Sequence, residues 1–73
     1  MYNITVRYGS DEYPRSYAPG TTIGQVINDV DLKVVAGWGD NVRALVSGVE
    51  QSPTTPISDG STVVIETRAN TKA

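Results

Sequence analysis

The sequence predicts an α+β domain: a mixed sheet of four to five strands with one main helix packed on one face. Three observations lead there. Residues 2–8, Y-N-I-T-V-R-Y, alternate apolar and polar side chains with the period of a half-buried strand. From residue 22 the pattern changes to helical spacing, directly after a capping signal. Residues 63–65 are consecutively apolar and follow an Asp-Gly turn, as expected of a central strand with apolar neighbours on both faces.

The elements follow in order. Tyr2, Ile4, Val6 and Tyr8 share one side of the first strand, and Gly9-Ser10-Asp11 supplies a turn. Residues 12–18 alternate again, with Tyr13 and Tyr17 on one face. Pro14 has no N–H to give a ladder, so this second strand belongs at a sheet edge or carries a bulge. Pro19-Gly20 ends the hairpin.

Thr22-Ile23-Gly24-Gln25 has the spacing of a capping box, with Gln25 reaching back to the cap residue. Ile23, Val26, Ile27 and Val30 then form an apolar stripe, each side chain contributing about 1.5–3 kcal/mol when buried. Gly24 weakens the first turn by up to about 1 kcal/mol relative to alanine. The helix is short and should end near residue 29 or 30. Residues 31–36 read either as a second short helix capped by Asp31 or as an irregular apolar cover for one end of the core. Residues 37–41, G-W-G-D-N, are a loop by composition.

Residues 41–47 form a short buried strand, Gly48 allows a turn or bulge, and residues 49–51 add a brief edge strand. A polar, proline-bearing connection covers 52–56, residues 58–60 turn, and residues 61–68 make the last strand. A hairpin followed by a helix that returns to a strand beside the first is a right-handed crossover, which lays the helix across one sheet face. Residues 1–68 are expected to form one domain and residues 69–73 a short flexible tail.

Composition narrows the function. Cysteine and histidine are both absent. Disulfides, thiolate metal sites and the commonest general base go with them. Serine and threonine are plentiful, but none has a histidine to activate it, so a non-enzymatic protein is expected, without cofactor or metal. Asp29, Asp31 and Asp40 lack the spacing of a calcium loop and read as solvated carboxylates. The formal net charge is −2 and the six basic residues are scattered, so nothing tracks a phosphate backbone and no nucleic-acid partner is expected. No apolar run suits a membrane span, and the N-terminus lacks the order of a signal peptide. A soluble, cytoplasmic protein is the expectation.

Two stretches carry a resemblance. Residues 19–27, P-G-T-T-I-G-Q-V-I, look like the turn and capped helix start of the small sulfur-carrier proteins of thiamin and molybdopterin synthesis. Residues 43–65 look like that group's short apolar strand, Asn-Gly turn, variable link, Asp-Gly-Asp turn and final strand. Ser47-Gly48 stands in place of Asn-Gly, and Asp59-Gly60-Ser61 occupies the last turn. The sequence thus resembles the β-grasp, or ubiquitin-like, superfamily over nearly its whole length. The resemblance implies a protein that binds other proteins, often through the sheet face turned away from the helix. It also implies a working C-terminus, normally Gly-Gly, which is slim enough to thread an activating enzyme's channel. Here the tail reads Ala69-Asn70-Thr71-Lys72-Ala73. That departure leaves two readings: an ordinary terminus, or an atypical modifier or carrier precursor that an activating enzyme or peptidase handles, for example after Asn70.

Two further candidates stand out. Trp38, between glycines, is either an aromatic binding anchor or a plug for one end of the core. Tyr13 and Tyr17 with Arg15 either make a binding patch on the exposed sheet face or pack across strands as pair partners. The Pro14 strand adds self-association or partner pairing through a sheet edge. The leading expectation is a ubiquitin-like protein acting by protein–protein binding. Its alternatives are the modifier or carrier and a small structural or accessory subunit, as in a phage.

Overall fold

A computed structural model describes residues 1–68; the expected tail, residues 69–73, lies outside the described residues. The first strand, β1 (Tyr2–Tyr8), and the second, β2 (Asp11–Tyr17), form a tight antiparallel hairpin. Gly9 opens the two-residue loop with φ +65°, a backbone conformation that glycine adopts without strain. Two short helices follow, α1 (Ile23–Ile27) and α2 (Val30–Ala36). Strand β3 (Val42–Val46) turns through Ser47-Gly48 into the two-residue β4 (Val49–Glu50), and β5 (Thr62–Thr67) closes the order.

The sheet has five strands in the order β2-β1-β5-β3-β4. It is mixed, because β1 and β5 run parallel and the other pairs antiparallel. β5 is the central strand and β2 an edge strand, as their sequences imply. The strand after the helices is not the neighbour of β1, however. β5 takes that place and β3 pairs with β5 on its far side, so the expected return to a strand beside the first is corrected.

The helical segment is two short helices, so of the two readings of residues 31–36 the second helix holds, with its cap corrected from Asp31 to Asp29. Thr22 caps α1 through the expected capping box, its side chain accepting from the Gln25 N–H while Gln25 accepts from the Thr22 N–H. The free N–H groups of Ile23 and Gly24 donate to the carbonyls of Thr55 and Pro53, both at 2.8 Å, so the 52–56 connection caps the helix from outside. α1 ends when the Asn28 side chain and backbone N–H both bond the Gly24 carbonyl, at 2.9 and 3.0 Å. Asp29 is then extended (φ −67°, ψ 106°) and its carboxylate, not that of Asp31, accepts the Leu32 N–H that opens α2. This break shifts the helical phase. Leu32 turns inward and is fully buried, while Val30, expected on the apolar stripe, is 70% exposed.

Gly37 closes α2 in the left-handed conformation (φ +90°), its N–H bonding the Lys33 carbonyl at 2.8 Å. That reversal sends Trp38 back into the core. Trp38 is 3% exposed, and its ring meets Tyr8 edge-to-face at 5.7 Å. Its indole N–H donates to the Ile27 carbonyl at 3.1 Å, satisfying the end of α1. The core consists of Ile4, Val6, Ile23, Val26, Leu32, Trp38, Ala44, Ile57, Val63 and Ile65.

One substitution tests how tightly the connection holds α1. Alanine at an exposed helical glycine ordinarily adds up to about 1 kcal/mol. At Gly24 a Cβ would stand 3.0 Å from the Pro53 carbonyl oxygen and 3.2 Å from its Cβ, and that carbonyl is already fixed by its bond to the Gly24 N–H. Gly24→Ala is therefore expected to destabilise by about 1–3 kcal/mol in urea unfolding. A stabilised variant would show that the connection yields.

Candidate functional site

The hairpin register decides where the tyrosines point. Tyr13, Arg15 and Tyr17 stand opposite Val6, Ile4 and Tyr2, so they share the helix side of the sheet. Of the two readings left open for them, the register removes a patch on the exposed sheet face and leaves packing across the strands. The Tyr17 hydroxyl donates to Asp29 Oδ2 at 2.7 Å, tying the edge strand to the break between the helices. Burial pushes the Tyr17 hydroxyl pKa well above the ordinary tyrosine value, and the hydrogen bond to Asp29 adds to the rise. Tyr13 packs against the core margin with the Arg15 guanidinium 6.0 Å from its ring centroid. Trp38 is buried, which corrects its reading as an exposed anchor in favour of the core plug. The structure therefore gathers Tyr13, Arg15 and Tyr17 along one margin and leaves Trp38 inside.

The sheet face away from the helices is built differently. Leu45 and Val64 are cross-strand partners there, both half-buried, and charged residues frame them. Arg43 bonds Glu66 through Nη2 at 2.9 Å and Nε at 3.3 Å, and its Nη1 lies 3.7 Å from Glu50. Arg68 Nη2 donates to the other Glu50 oxygen at 2.6 Å. That hydrogen bond holds the Glu50 carboxyl below the usual carboxylate range. Arg7 and Glu12 pair more loosely at 4.0 Å. These charges compensate one another locally, so the face presents no strong field of either sign.

The largest exposed apolar surface on a helix lies on α2. Val30, Val34 and Val35 are 70, 75 and 61% exposed. At 100° per residue, Val30 and Val34 both stand about 160° from Leu32, so the buried and exposed faces are opposite. Sequence reasoning placed Val30 on the buried stripe and read residues 31–36, with Val34 and Val35, as a second short helix or an apolar cover for one end of the core. The signal was Asp29: read as the second cap, it sets Leu32 inward and Val30 and Val34 outward. Asp40 is paired with Lys33, whose hydrogen bond holds the Asp40 carboxyl below its ordinary range. Among the described residues no cluster of carboxylates suits a metal ion, and no helix is long and apolar enough to cross a membrane.

No protein-family model matches the sequence, and no curated protein matches it. Solved structures do. A ubiquitin from Caldiarchaeum subterraneum superposes with a TM-score of 0.73 at 21% identity, covering 93% of this chain and 94% of that one. The chain has a ubiquitin-like β-grasp fold. SAMP1 from Haloferax volcanii matches with a TM-score of 0.70 at 9% identity, over 96% of this chain and 99% of that one. ATBAG1, solved in complex with HSP70, matches with a TM-score of 0.76 at 15% identity, over 92% of this chain but 40% of that one.

The Tyr17–Asp29 bond carries a pH prediction. A tyrosine whose folded pKa is raised stabilises the fold fully below its unfolded pKa, about 10, and loses that contribution as pH rises beyond it. Tyr17→Phe should cost about 1–2 kcal/mol at neutral pH through the lost hydrogen bond. Its stability should also fall less steeply than the wild type's above about pH 10. Parallel curves from urea titrations at both pH values would remove Tyr17 as the source of the alkaline loss.

Proposed function

We propose that this chain is a cytoplasmic, non-enzymatic ubiquitin-like protein that works by binding another protein. One observation carries the reading: Val30 and Val34 stand opposite the buried Leu32 on α2, and Val35, at the margin of the buried face, is exposed as well. Single exposed apolar residues are ordinary, but three on a seven-residue helix are not a random scatter. Valine is also a poor helix former, because its branched Cβ restricts rotamers against the preceding turn. Folding gains nothing from these side chains at solvent positions, whereas a partner with an apolar surface gains contact area. The ubiquitin-like fold supports the same reading, and Tyr13 and Arg15 at the β2 margin offer adjoining polar and aromatic contacts.

The test separates binding from folding. In the double variant V30E/V34K the new side chains stand four residues apart in the favourable order, so the helix should gain about 0.3–0.5 kcal/mol. The expected result is an unchanged or slightly raised melting temperature and loss of the proteins that the immobilised wild type retains from an extract of its own host. Retention of the same proteins by the variant would exclude this face.

A second reading is favoured by the fastening of Arg68. Its N–H donates to the Asn41 carbonyl at 2.8 Å, the Asn41 side chain donates to its carbonyl at 3.3 Å, and its guanidinium is held by Glu50. A chain fixed at this point delivers whatever follows it from a defined position, which suits a modifier or carrier whose C-terminus meets an activating enzyme or peptidase. Intact mass of the protein recovered from its host decides between the two. Cleavage after Asn70, or a C-terminal link to another molecule, supports the carrier; a sole form ending at Ala73 removes it.

A further inference from the structure

The β2 edge looks open, since among the described residues no strand pairs with its outer side, yet its backbone is not free. Thr5 turns its N–H toward β5, where it donates to the Ser61 carbonyl at 3.1 Å. Asn3 does the same, giving its N–H to Asp59 at 2.7 Å and its carbonyl to the Gly60 N–H at 2.7 Å. In an antiparallel ladder the partners of such residues point their own backbone groups away. Those partners are Pro14 and Ser16, and by the same alternation Glu12. The outward rungs of the edge are therefore residues 12, 14 and 16. The middle rung has no donor, because residue 14 is proline. Its acceptor is occupied as well: Arg15 Nη1 donates to the Pro14 carbonyl at 2.8 Å. What remains is two isolated rungs about 13 Å apart.

The opposite edge offers still less. In β4, Val49 pairs with Val46 next to the turn, and the Gln51 N–H returns to the Ala44 carbonyl at 2.8 Å. Only Glu50 faces outward, with a charged side chain.

We propose that Pro14 and Arg15 together close the β2 edge to strand addition, so that a second copy of this chain cannot extend the sheet there. Proline removes the donor of the central rung and the following arginine fills its acceptor. The inference rests on the edge alone and stands apart from the proposed role of α2.

The experiment uses the full chain. Sedimentation velocity over a concentration series should show wild type at monomer mass throughout, with amide exchange at Glu12 and Ser16 fast at every concentration. The double variant P14V/R15A restores both groups of the central rung. It should shift toward dimer mass as concentration rises, with the amides at positions 12, 14 and 16 becoming protected together. A folded P14V/R15A that stays monomeric would overturn the proposal. So would wild-type protein whose Glu12 and Ser16 amides slow with concentration, a readout that does not depend on how the variant folds.

Discussion

The buried indole of Trp38 is the contact on which the helical half of the molecule depends. A helix of five residues cannot satisfy its own last carbonyls, and burying them without partners would be costly. Trp38 resolves this for Ile27 while its ring fills the space between Tyr8 and the helices. The indole reaches that place only because Gly37 reverses the chain with a positive φ. α1, α2 and the loop after them are thus one unit. None has the length to be stable alone, since isolated helices below about 12–15 residues are marginal in water.

The same shortage of internal bonds explains why residues 52–57 lie where they do. The connection contributes two carbonyls to the start of α1, forms a bridge from Pro56 to Thr22, and buries Ile57 in the core. α1 is therefore satisfied at both ends by residues distant in sequence. Asp29 has a comparable double use, accepting from the Leu32 N–H with one oxygen and from the Tyr17 hydroxyl with the other. Through it the edge strand and the helical break hold one another.

The surface divides along the sheet. Charges on the open face are spent on one another, since Arg43, Glu50, Glu66 and Arg68 form a chain of contacts across β3, β4 and β5. Exposed pairs of this kind stabilise only slightly, up to about 1 kcal/mol each. They do hold the neighbouring strands in register around Leu45 and Val64. Three of the exposed large apolar side chains, Val30, Val34 and Val35, lie on α2, on the other side of the sheet. These valines thus sit opposite the open face with its paired charges.

Much of the architecture was local and hence legible in the sequence. Alternation set β1, the missing N–H of Pro14 put β2 at an edge, the apolar run at 63–65 put β5 at the centre, and Thr22 with Gln25 started α1. These depend on period, on turn residues and on single backbone groups, all of which act over a few positions. The rest required the folded chain. Whether the stripe begun at Ile23 continued through Val30 was a competition between helix propagation and the side-chain bonds of Asn28 and Asp29, and packing of Leu32 settled it. Which face Tyr13, Arg15 and Tyr17 occupy depended on register, because a shift of one residue turns every side chain over. Whether Trp38 pointed outward or inward depended on an acceptor 11 positions away, at Ile27. The sequence determined the strands and the start of α1, because those signals act over a few positions; pairings between distant residues determined the second helix and which surfaces the elements leave exposed.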